Sequence, residues 1–327
     1  MRTELRNTDS TRTAIVTGGN GGLGYQCAQA LAATSDNWHV VITGRDQEKS
    51  QRAVAAIIEA TGNPHIEALP LDLASLASVR RFAADFSANA RPPLRAIVCN
   101  AAISLPSNQL LTQDGFEQTF GVNHLGHFLL LQLLLKQISP PARIVLVSSA
   151  VHDPSQLSGM PPPRFSNAAE LAHPPSEPGE SARRAGQRAY SNAKLCNVLC
   201  AYELSRRLRS HTPGGGYESI TVNVFDPGLM PNTALGRNYG AVQRFFMNSL
   251  FKILRLVAAD VHSAQESGRA LATLIADPSL GLTTGKYFAG LRETPSSTLS
   301  HDTEKAAALW DASEQMVKLQ AHETIFR

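Results

Sequence analysis

A tyrosine and a lysine spaced four residues apart, Tyr190 and Lys194, are the residues of this 327-residue chain best suited to acid–base chemistry. The surrounding pattern predicts a helix over residues 190–209, and residues four apart lie on the same face of a helix. A free tyrosine has a pKa of about 10. A neighbouring ammonium favours the phenolate and lowers that pKa. The pair therefore predicts a group that gives a proton to an oxygen atom or takes one from it.

Two serines stand where a buried strand is predicted to end. The apolar strand, residues 143–148, finishes with Ser148, and Ser149 follows directly. In open α/β sheets, ligands bind beyond the carboxyl ends of the strands. One hydroxyl at this edge can therefore contact the oxygen of a bound substrate, while the other satisfies the backbone at the end of the strand.

A glycine-rich turn, residues 18–24, joins the first predicted strand to the first predicted helix. Such a turn exposes unpaired amide groups and the positive end of the helix dipole. Glycines let the backbone approach a diphosphate closely, so the turn predicts nucleotide binding. Its position at the first strand–helix junction supports this interpretation.

Short β-branched segments alternate with longer helical patterns along the chain. The predicted strands are residues 13–17, 39–43, 65–71, 94–99, 143–148, 219–225 and 286–288, and the predicted helices are residues 23–33, 47–60, 76–86, 115–138, 190–209 and 263–276. This alternation predicts right-handed crossovers and a parallel sheet. The predicted fold class is therefore α/β, a single Rossmann-type, doubly wound domain with a seven-stranded parallel sheet and helices on both faces.

The glycine spacing resembles the TGxxxGxG loop of the short-chain dehydrogenases/reductases, and Asn123, Ser149, Tyr190 and Lys194 follow in that family's order. The resemblance extends from about residue 13 to the C-terminus. It implies that Ser149 orients a substrate carbonyl, Tyr190 transfers the proton, and Lys194 tunes Tyr190 and binds a ribose. It also implies that Asn123 holds a water between the lysine and solvent. Residues 122–130, 190–198 and 285–288 are most similar to the retinol dehydrogenase and protochlorophyllide reductase branch.

The residues after the second predicted strand indicate the cofactor. In the family that this chain resembles, NAD-dependent members carry a carboxylate at the position of Gly44. Here the next residue is Arg45. An arginine accommodates the 2′-phosphate of NADP, so NADP(H) is predicted. Asp46 is either a ribose contact or the N-cap of the next helix. The resemblance implies these cofactor-binding residues: Gly18, Asn20, Gly22, Leu23, Gly24, Arg45, Asp72, Leu73, Asn100, Ala101, Tyr190, Lys194, Pro227, Gly228 and Thr233.

Two irregular stretches surround the predicted substrate mouth. A proline-rich insertion, residues 151–188, separates Ser149 from Tyr190, and a second stretch, residues 228–260, follows the sixth predicted strand. Within it, residues 242–257 place seven apolar side chains on one helical face. We expect a lid over an apolar ligand, with packing on the core or contact with a membrane surface as alternatives. Because catalytic residues lie on both sides of the insertion, residues 1–327 are predicted to form one domain.

The composition narrows the set of partners. Lys plus Arg total 30 and Asp plus Glu total 27, a balance that argues against nucleic acid as a partner. The longest apolar run is far shorter than the roughly 20 residues of a membrane span. Four dispersed cysteines and a polar N-terminal segment without a secretory pattern predict reduced thiols and a cytoplasmic location. His124 and His127 lack carboxylate or thiol partners nearby in sequence, so no metal site is predicted.

These observations together predict an NADP-dependent carbonyl reductase or alcohol dehydrogenase that acts on a bulky apolar ketone or aldehyde. Two alternatives stay open: a C=C double-bond reductase of the protochlorophyllide reductase type, and an NADP-binding scaffold without turnover. The family resemblance also implies a homodimer or homotetramer. Neither irregular stretch carries a motif that identifies the substrate further.

Overall fold

A single eight-stranded sheet lies at the centre of the computed structural model, which describes residues 12–156, 158–211, 216–228 and 263–326. The strands are β1 Arg12–Thr17, β2 Trp38–Gly44, β3 Ile66–Pro70, β4 Leu94–Cys99, β5 Ile138–Val147, β6 Ile220–Asp226, β7 Tyr287–Ala289 and β8 Arg292–Thr294. Their order is β3-β2-β1-β4-β5-β6-β7-β8. The strand order changes direction between β1 and β4. In open α/β sheets, ligands bind at this switch point.

Helices cover both faces of the sheet. They are α1 Gly22–Ala32, α2 Gln47–Thr61, α3 Leu76–Ala88, α4 Gln118–Phe120, α5 Gly126–Leu135, α6 Ala168–Ala172, α7 Ala182–Ser210, α8 Ala264–Ala276 and α9 Thr303–Met316. The core on one face involves α1, α2 and α8, and the core on the other involves α3, α5, α7 and α9. Side chains that accept first-turn amides begin several of these helices: Asp46, Ser75, Ser181, Ser263 and Asp302.

The predicted α/β class is confirmed, and β1 to β7 are parallel as expected. The eighth strand was not predicted. It pairs antiparallel with β7 after a short turn that contains Gly290 at a φ of +60°. A strand of three residues is too short to produce an alternating pattern in the sequence. Helices α6 and α9 were also missed, and α6 lies inside the insertion that was expected to be irregular.

The single helix predicted over residues 115–138 is wrong in its bounds, and it contains a π-helical turn that was not expected. The chain forms α4, then a π-helical turn over Gly121–Leu125, then α5. Buried Glu117 accepts the amides of Thr119 and Phe120 at 2.9 and 2.6 Å, so the helix begins only after this carboxylate. Strand β5 already starts at Ile138, where the helix was expected to continue.

Three sequence predictions fall on residues that the structure does not describe. The stretch 229–262 lies outside the described residues, and it includes most of the expected lid, the apolar pattern over 242–257, and Thr233. Among the helices within the described ranges, none has the length and apolar character needed to cross a bilayer.

Candidate active site

Helix α7 carries the tyrosine and the lysine toward the end of β5. The helix begins at Ala182 rather than near Tyr190, because the Ser181 side chain caps its first turn. Lys194 is 2% exposed, and its Nζ donates a 3.0 Å hydrogen bond to the carbonyl of Val147. The same Nζ lies 5.4 Å from the centroid of the Tyr190 ring. The structure therefore places the two side chains together.

Burial controls the charge state of this pair. It raises the pKa of the Tyr190 phenol above its ordinary value, and the Asp226 carboxylate raises that pKa further. The predicted net lowering of the Tyr190 pKa is therefore wrong for this structure, because the loss of solvation outweighs the effect of the neighbouring ammonium. Burial also lowers the pKa of Lys194 to about 8, against an opposing effect of Asp226. A buried phenol that keeps its proton is suited to act as a general acid.

The two serines after β5 have different surroundings. The buried Ser148 hydroxyl donates a 2.8 Å hydrogen bond to the carbonyl of Lys194, so it secures the end of the strand to α7. Ser149 is partly exposed at the same edge. Its carbonyl lies 2.8 Å from Nδ1 of His152. Of the two serines, Ser149 is the one that retains exposure toward solvent.

Asn123 lies in the middle of the π-helical turn and is fully buried. Its Oδ1 accepts the amide of Ile103 at 2.8 Å, and its Nδ2 donates to the Ile103 carbonyl at 2.9 Å. The side chain thus holds the segment that follows β4. The Asn123 carbonyl lies 3.2 Å from Nδ1 of His127. This contact links the π-helical turn to the His127 ring in α5.

The turn between β1 and α1 presents backbone amides at a helix N-terminus. No described side chain caps α1, and its first turn carries no acidic residue. Gly18 and Gly22 have φ values of +64° and +54°, which favour glycine. A β-carbon on Gly24 would lie 2.6 Å from the Gly18 carbonyl oxygen, so the close approach of helix and turn requires glycine. Leu23 packs into the core below. This arrangement fits the diphosphate of a dinucleotide.

Thr17 joins the turn after β1 to the turn after β4. Its Oγ1 accepts the amides of Asn100 and Ala101 at 2.9 and 3.0 Å and lies 2.9 Å from Nε2 of His127. Nδ2 of Asn100 donates to the Thr17 carbonyl at 2.8 Å. Asn100 and Ala101 therefore build the edge of the phosphate turn. Thr17 is the first residue of the TGxxxGxG pattern but was not among the predicted cofactor-binding residues, because the pattern does not reveal its contacts with the turn after β4.

Two cations follow β2, and one of them, Lys49 in α2, lies beside the phosphate turn. Arg45 is exposed. The Asp46 carboxylate accepts the amide of Lys49 at 2.9 Å, so Asp46 is the N-cap of α2. The Lys49 Nζ lies 3.1 Å from the position that a β-carbon on Gly21 would occupy. Lys49 was not predicted, although it follows Arg45 by one turn of helix.

Three other predicted cofactor residues make contacts within the protein. Asn20 donates from Nδ2 to Ser50 Oγ at 3.1 Å and so attaches the phosphate turn to α2. Asp72 is partly exposed and accepts the amide of Ala74 at 3.0 Å. Leu73 is buried in the core. Of the three, Asn20 and Asp72 retain exposure toward solvent.

The turn after β6 is held from both sides. Gly228 has a φ of +71°, and its amide donates to Oδ1 of Asp226 at 2.9 Å. The Ser267 hydroxyl of α8 donates to the Pro227 carbonyl at 2.8 Å. Pro227 and Gly228 therefore occupy a fixed turn at the same sheet edge as Ser149.

The four cysteines, His124 and His127 are all buried. Burial raises the pKa of all four thiols, which are Cys27, Cys99, Cys196 and Cys200. His124 lies 2.9 Å from the hydroxyl of Ser313 in α9, and His127 contacts Thr17. Within the described ranges, no group of three His, Cys, Asp or Glu side chains could hold a metal ion.

Known proteins similar to this chain share its architecture over most of its length. The family model described as short chain dehydrogenase matches residues 12–158. A WW domain-containing oxidoreductase of Danio rerio is 35% identical over 320 residues, which cover 94% of this chain and 69% of that protein. The chloroplastic protochlorophyllide reductase A of Oryza sativa subsp. japonica is 36% identical over 329 residues, which cover 93% of this chain and 80% of that protein.

Solved structures show the same fold. A short chain dehydrogenase from Burkholderia cenocepacia J2315 in complex with NADP is 26% identical, with a TM-score of 0.58 and coverage of 86% of this chain and 97% of that chain. A blue fluorescent protein from a metagenomic library, in complex with NADPH, is 22% identical with a TM-score of 0.61 and coverage of 85% and 95%. The chain is therefore an oxidoreductase of the short-chain dehydrogenase/reductase family, in its retinol dehydrogenase and protochlorophyllide reductase-like branch.

Proposed function

We propose that the protein transfers a hydride between NADP(H) and the carbonyl carbon of a bulky apolar ketone or aldehyde. The observation that carries this proposal is the pairing of Tyr190, whose pKa is raised by burial, with the accessible Ser149 at one sheet edge. A carbonyl oxygen has two lone pairs, so it can accept from both hydroxyls. The ammonium of Lys194, 5.4 Å from the centre of the Tyr190 ring, favours the phenolate left after proton transfer.

NADP(H) is the proposed cofactor, and when bound it supplies or accepts the hydride. The uncapped amides at the start of α1 suit its diphosphate. Arg45 and Lys49 offer positive charge for the 2′-phosphate. Asp46 directs its carboxylate to the first turn of α2 rather than to a ribose. The Burkholderia cenocepacia relative, 26% identical, was solved with NADP.

The proposed proton path runs through the same residues. Tyr190 gives its proton to the substrate oxygen during reduction, while Ser149 fixes the direction of that oxygen. Lys194, with a pKa of about 8, keeps a charged ammonium at neutral pH. The carbonyl of Asn123 holds the water through which the proton on Lys194 exchanges with solvent. In the oxidation direction each transfer is reversed.

Reduction of a carbon–carbon double bond is the second candidate. It is supported by relatives called protochlorophyllide reductase that are 34–36% identical. In this reaction Tyr190 protonates carbon, and no substrate oxygen at the reacting centre needs Ser149. The two candidates therefore differ in their dependence on Ser149.

A panel of apolar aldehydes, ketones and enones, each assayed with NADPH, tests the proposal. Allylic alcohol as the product from an enone supports carbonyl reduction, and a saturated ketone supports the second candidate. Tyr190→Phe is expected to abolish turnover, whereas Tyr202→Phe, which removes another buried phenol hydroxyl of α7, is expected to retain it. NADPH binding without turnover across the whole panel would favour a binding scaffold.

The predicted assembly and location of the protein are part of the same proposal. A homodimer or homotetramer is expected, and size-exclusion chromatography with light scattering measures it directly. A cytoplasmic location is expected and can be followed with a fluorescent fusion. A monomer in solution, or accumulation in an organelle, would contradict these two predictions without affecting the proposed chemistry.

A further inference from the structure

A buried carboxylate ends strand β6. Asp226 is 5% exposed, and each of its two oxygens accepts a hydrogen bond. Oδ1 accepts the amide of Gly228 at 2.9 Å, and Oδ2 accepts the hydroxyl of Tyr287 at 2.8 Å. Tyr287 lies in β7 and is 4% exposed. Burying a carboxylate costs free energy unless the carboxylate is hydrogen-bonded. The two hydrogen bonds therefore stabilise buried Asp226 and fix its position between Gly228 and Tyr287.

His152 connects Tyr287 to the turn after β5, which contains Ser149. Its ring is buried and packs on the ring of Tyr287, with centroids 4.9 Å apart and an interplanar angle of 35°. Nδ1 lies 2.8 Å from the Ser149 carbonyl, and Nε2 accepts the amide of Ser297 at 3.0 Å. A carbonyl only accepts and an amide N–H only donates, so Nδ1 carries the proton and the imidazole is neutral. Burial, which lowers the pKa of His152, is consistent with this assignment.

We propose that Asp226, Tyr287 and His152 form a brace of positioning residues that fixes the Ser149 turn relative to the Gly228 turn. The two turns follow neighbouring strands, since β5 and β6 pair in parallel with Val147 opposite Phe225. The inference rests on the proposed function, because the orientation of Ser149 matters only if Ser149 orients a substrate oxygen. Small displacements of such a group slow a reaction strongly.

Tyr287→Phe tests the brace with the smallest change. It removes the hydroxyl that contacts Asp226 but keeps the ring packing and the carboxylate charge. We expect kcat for NADPH-dependent carbonyl reduction to fall about tenfold or more. The Kd for NADPH is expected to stay unchanged.

Tyr202→Phe is the matched control for Tyr287→Phe. Its hydroxyl lies 2.7 Å from Ser296 Oγ, in the same C-terminal segment as Ser297, but it does not contact Asp226 or His152. We expect kcat to stay within about twofold of the wild type, because only a local hydrogen bond is lost. Equal losses in the two variants would overturn the brace.

Two substitutions at His152 test the positioning. His152→Asn keeps an N–H donor toward the Ser149 carbonyl, so it is expected to recover much of the kcat that His152→Phe loses. Equal loss of kcat in both His152 variants would overturn the positioning.

Amide hydrogen exchange with NADP bound gives a readout that needs no turnover. Tyr287→Phe is expected to increase exchange in both segments 149–152 and 226–228, and Tyr202→Phe in neither. A change confined to β7 would overturn the brace. If Tyr287→Phe increases exchange in both segments but the wild-type protein shows no turnover, the proposed function is overturned and the brace is still supported.

Discussion

The hydroxyl of Ser148 donates a 2.8 Å hydrogen bond to the main-chain carbonyl of Lys194. This bond joins the end of β5 directly to α7, although the proline-rich insertion separates them in the sequence. Ser149 follows the bond by one residue, and Tyr190 precedes Lys194 by one turn of the helix. The Lys194 ammonium adds a second connection through the Val147 carbonyl at 3.0 Å. The two hydroxyls proposed to hold the substrate oxygen therefore share one rigid support.

The two serines are expected to respond differently to substitution. Ser149→Ala removes the hydroxyl proposed to contact the reacting oxygen, so kcat for carbonyl reduction is expected to fall about 10²–10³-fold with little change in Tm. Ser148→Ala removes a buried structural hydrogen bond and is expected to lower the free energy of unfolding by about 1 kcal/mol. Steady-state kinetics and thermal unfolding distinguish the two. A greater loss of kcat in Ser148→Ala than in Ser149→Ala would contradict the assignment.

Local spacing accounts for the parts of the site that were predicted correctly. Tyr190 and Lys194 lie together because helix geometry fixes neighbours four residues apart. Apolar β-branched segments marked the parallel strands, and with them the edge to which Ser149 belongs. The N-cap interpretation of Asp46 also follows from local geometry, and the structure confirms it.

Contacts between distant parts of the chain could not be predicted in the same way. The approach of Thr17 to His127 and the bond from Tyr287 to Asp226 depend on strand order, which brings separate turns to one edge. The raised pKa of Tyr190 likewise depends on burial by the whole fold, which outweighs the neighbouring lysine. A sequence pattern reports residue types and spacing but not this burial.

Arg45 and Lys49 are expected to set the preference for NADPH. Replacing either with alanine should raise the Kd for NADPH about tenfold to a hundredfold, because a charge-assisted contact with the 2′-phosphate is lost. The Kd for NADH should change little. Arg52 is a matched control on α2, since it is exposed and pairs with Glu48. Fluorescence titration with both nucleotides checks this, and equal weakening of NADPH and NADH in Arg45→Ala would point to a general effect on the fold.

Gly24→Ala is expected to abolish cofactor binding. The added β-carbon would lie 2.6 Å from the Gly18 carbonyl oxygen, and this backbone atom cannot move without displacing the phosphate turn. We expect the Kd for NADPH to rise about a hundredfold or more, since the amides of α1 no longer converge on the diphosphate. Gly62→Ala, at the C-terminal end of α2 with a φ of +70° and open space around it, is the control. It should lower stability by about 1 kcal/mol while NADPH binds normally, and normal binding by Gly24→Ala would contradict the expected fit.

Lys194 is expected to make stability depend on pH in the alkaline range. Burial lowers its pKa from 10.5 to about 8, so between these values the unfolded chain binds more protons at this residue than the folded chain. The free energy of unfolding therefore gains a contribution that grows as pH rises across this window, to at most about 3 kcal/mol. Lys194→Met keeps the length of the side chain but cannot titrate, so this gain should disappear. The exposed Lys318, replaced in the same way, should leave the gain intact. Urea unfolding at a series of pH values measures it, and an unchanged slope in Lys194→Met would assign the effect to another group.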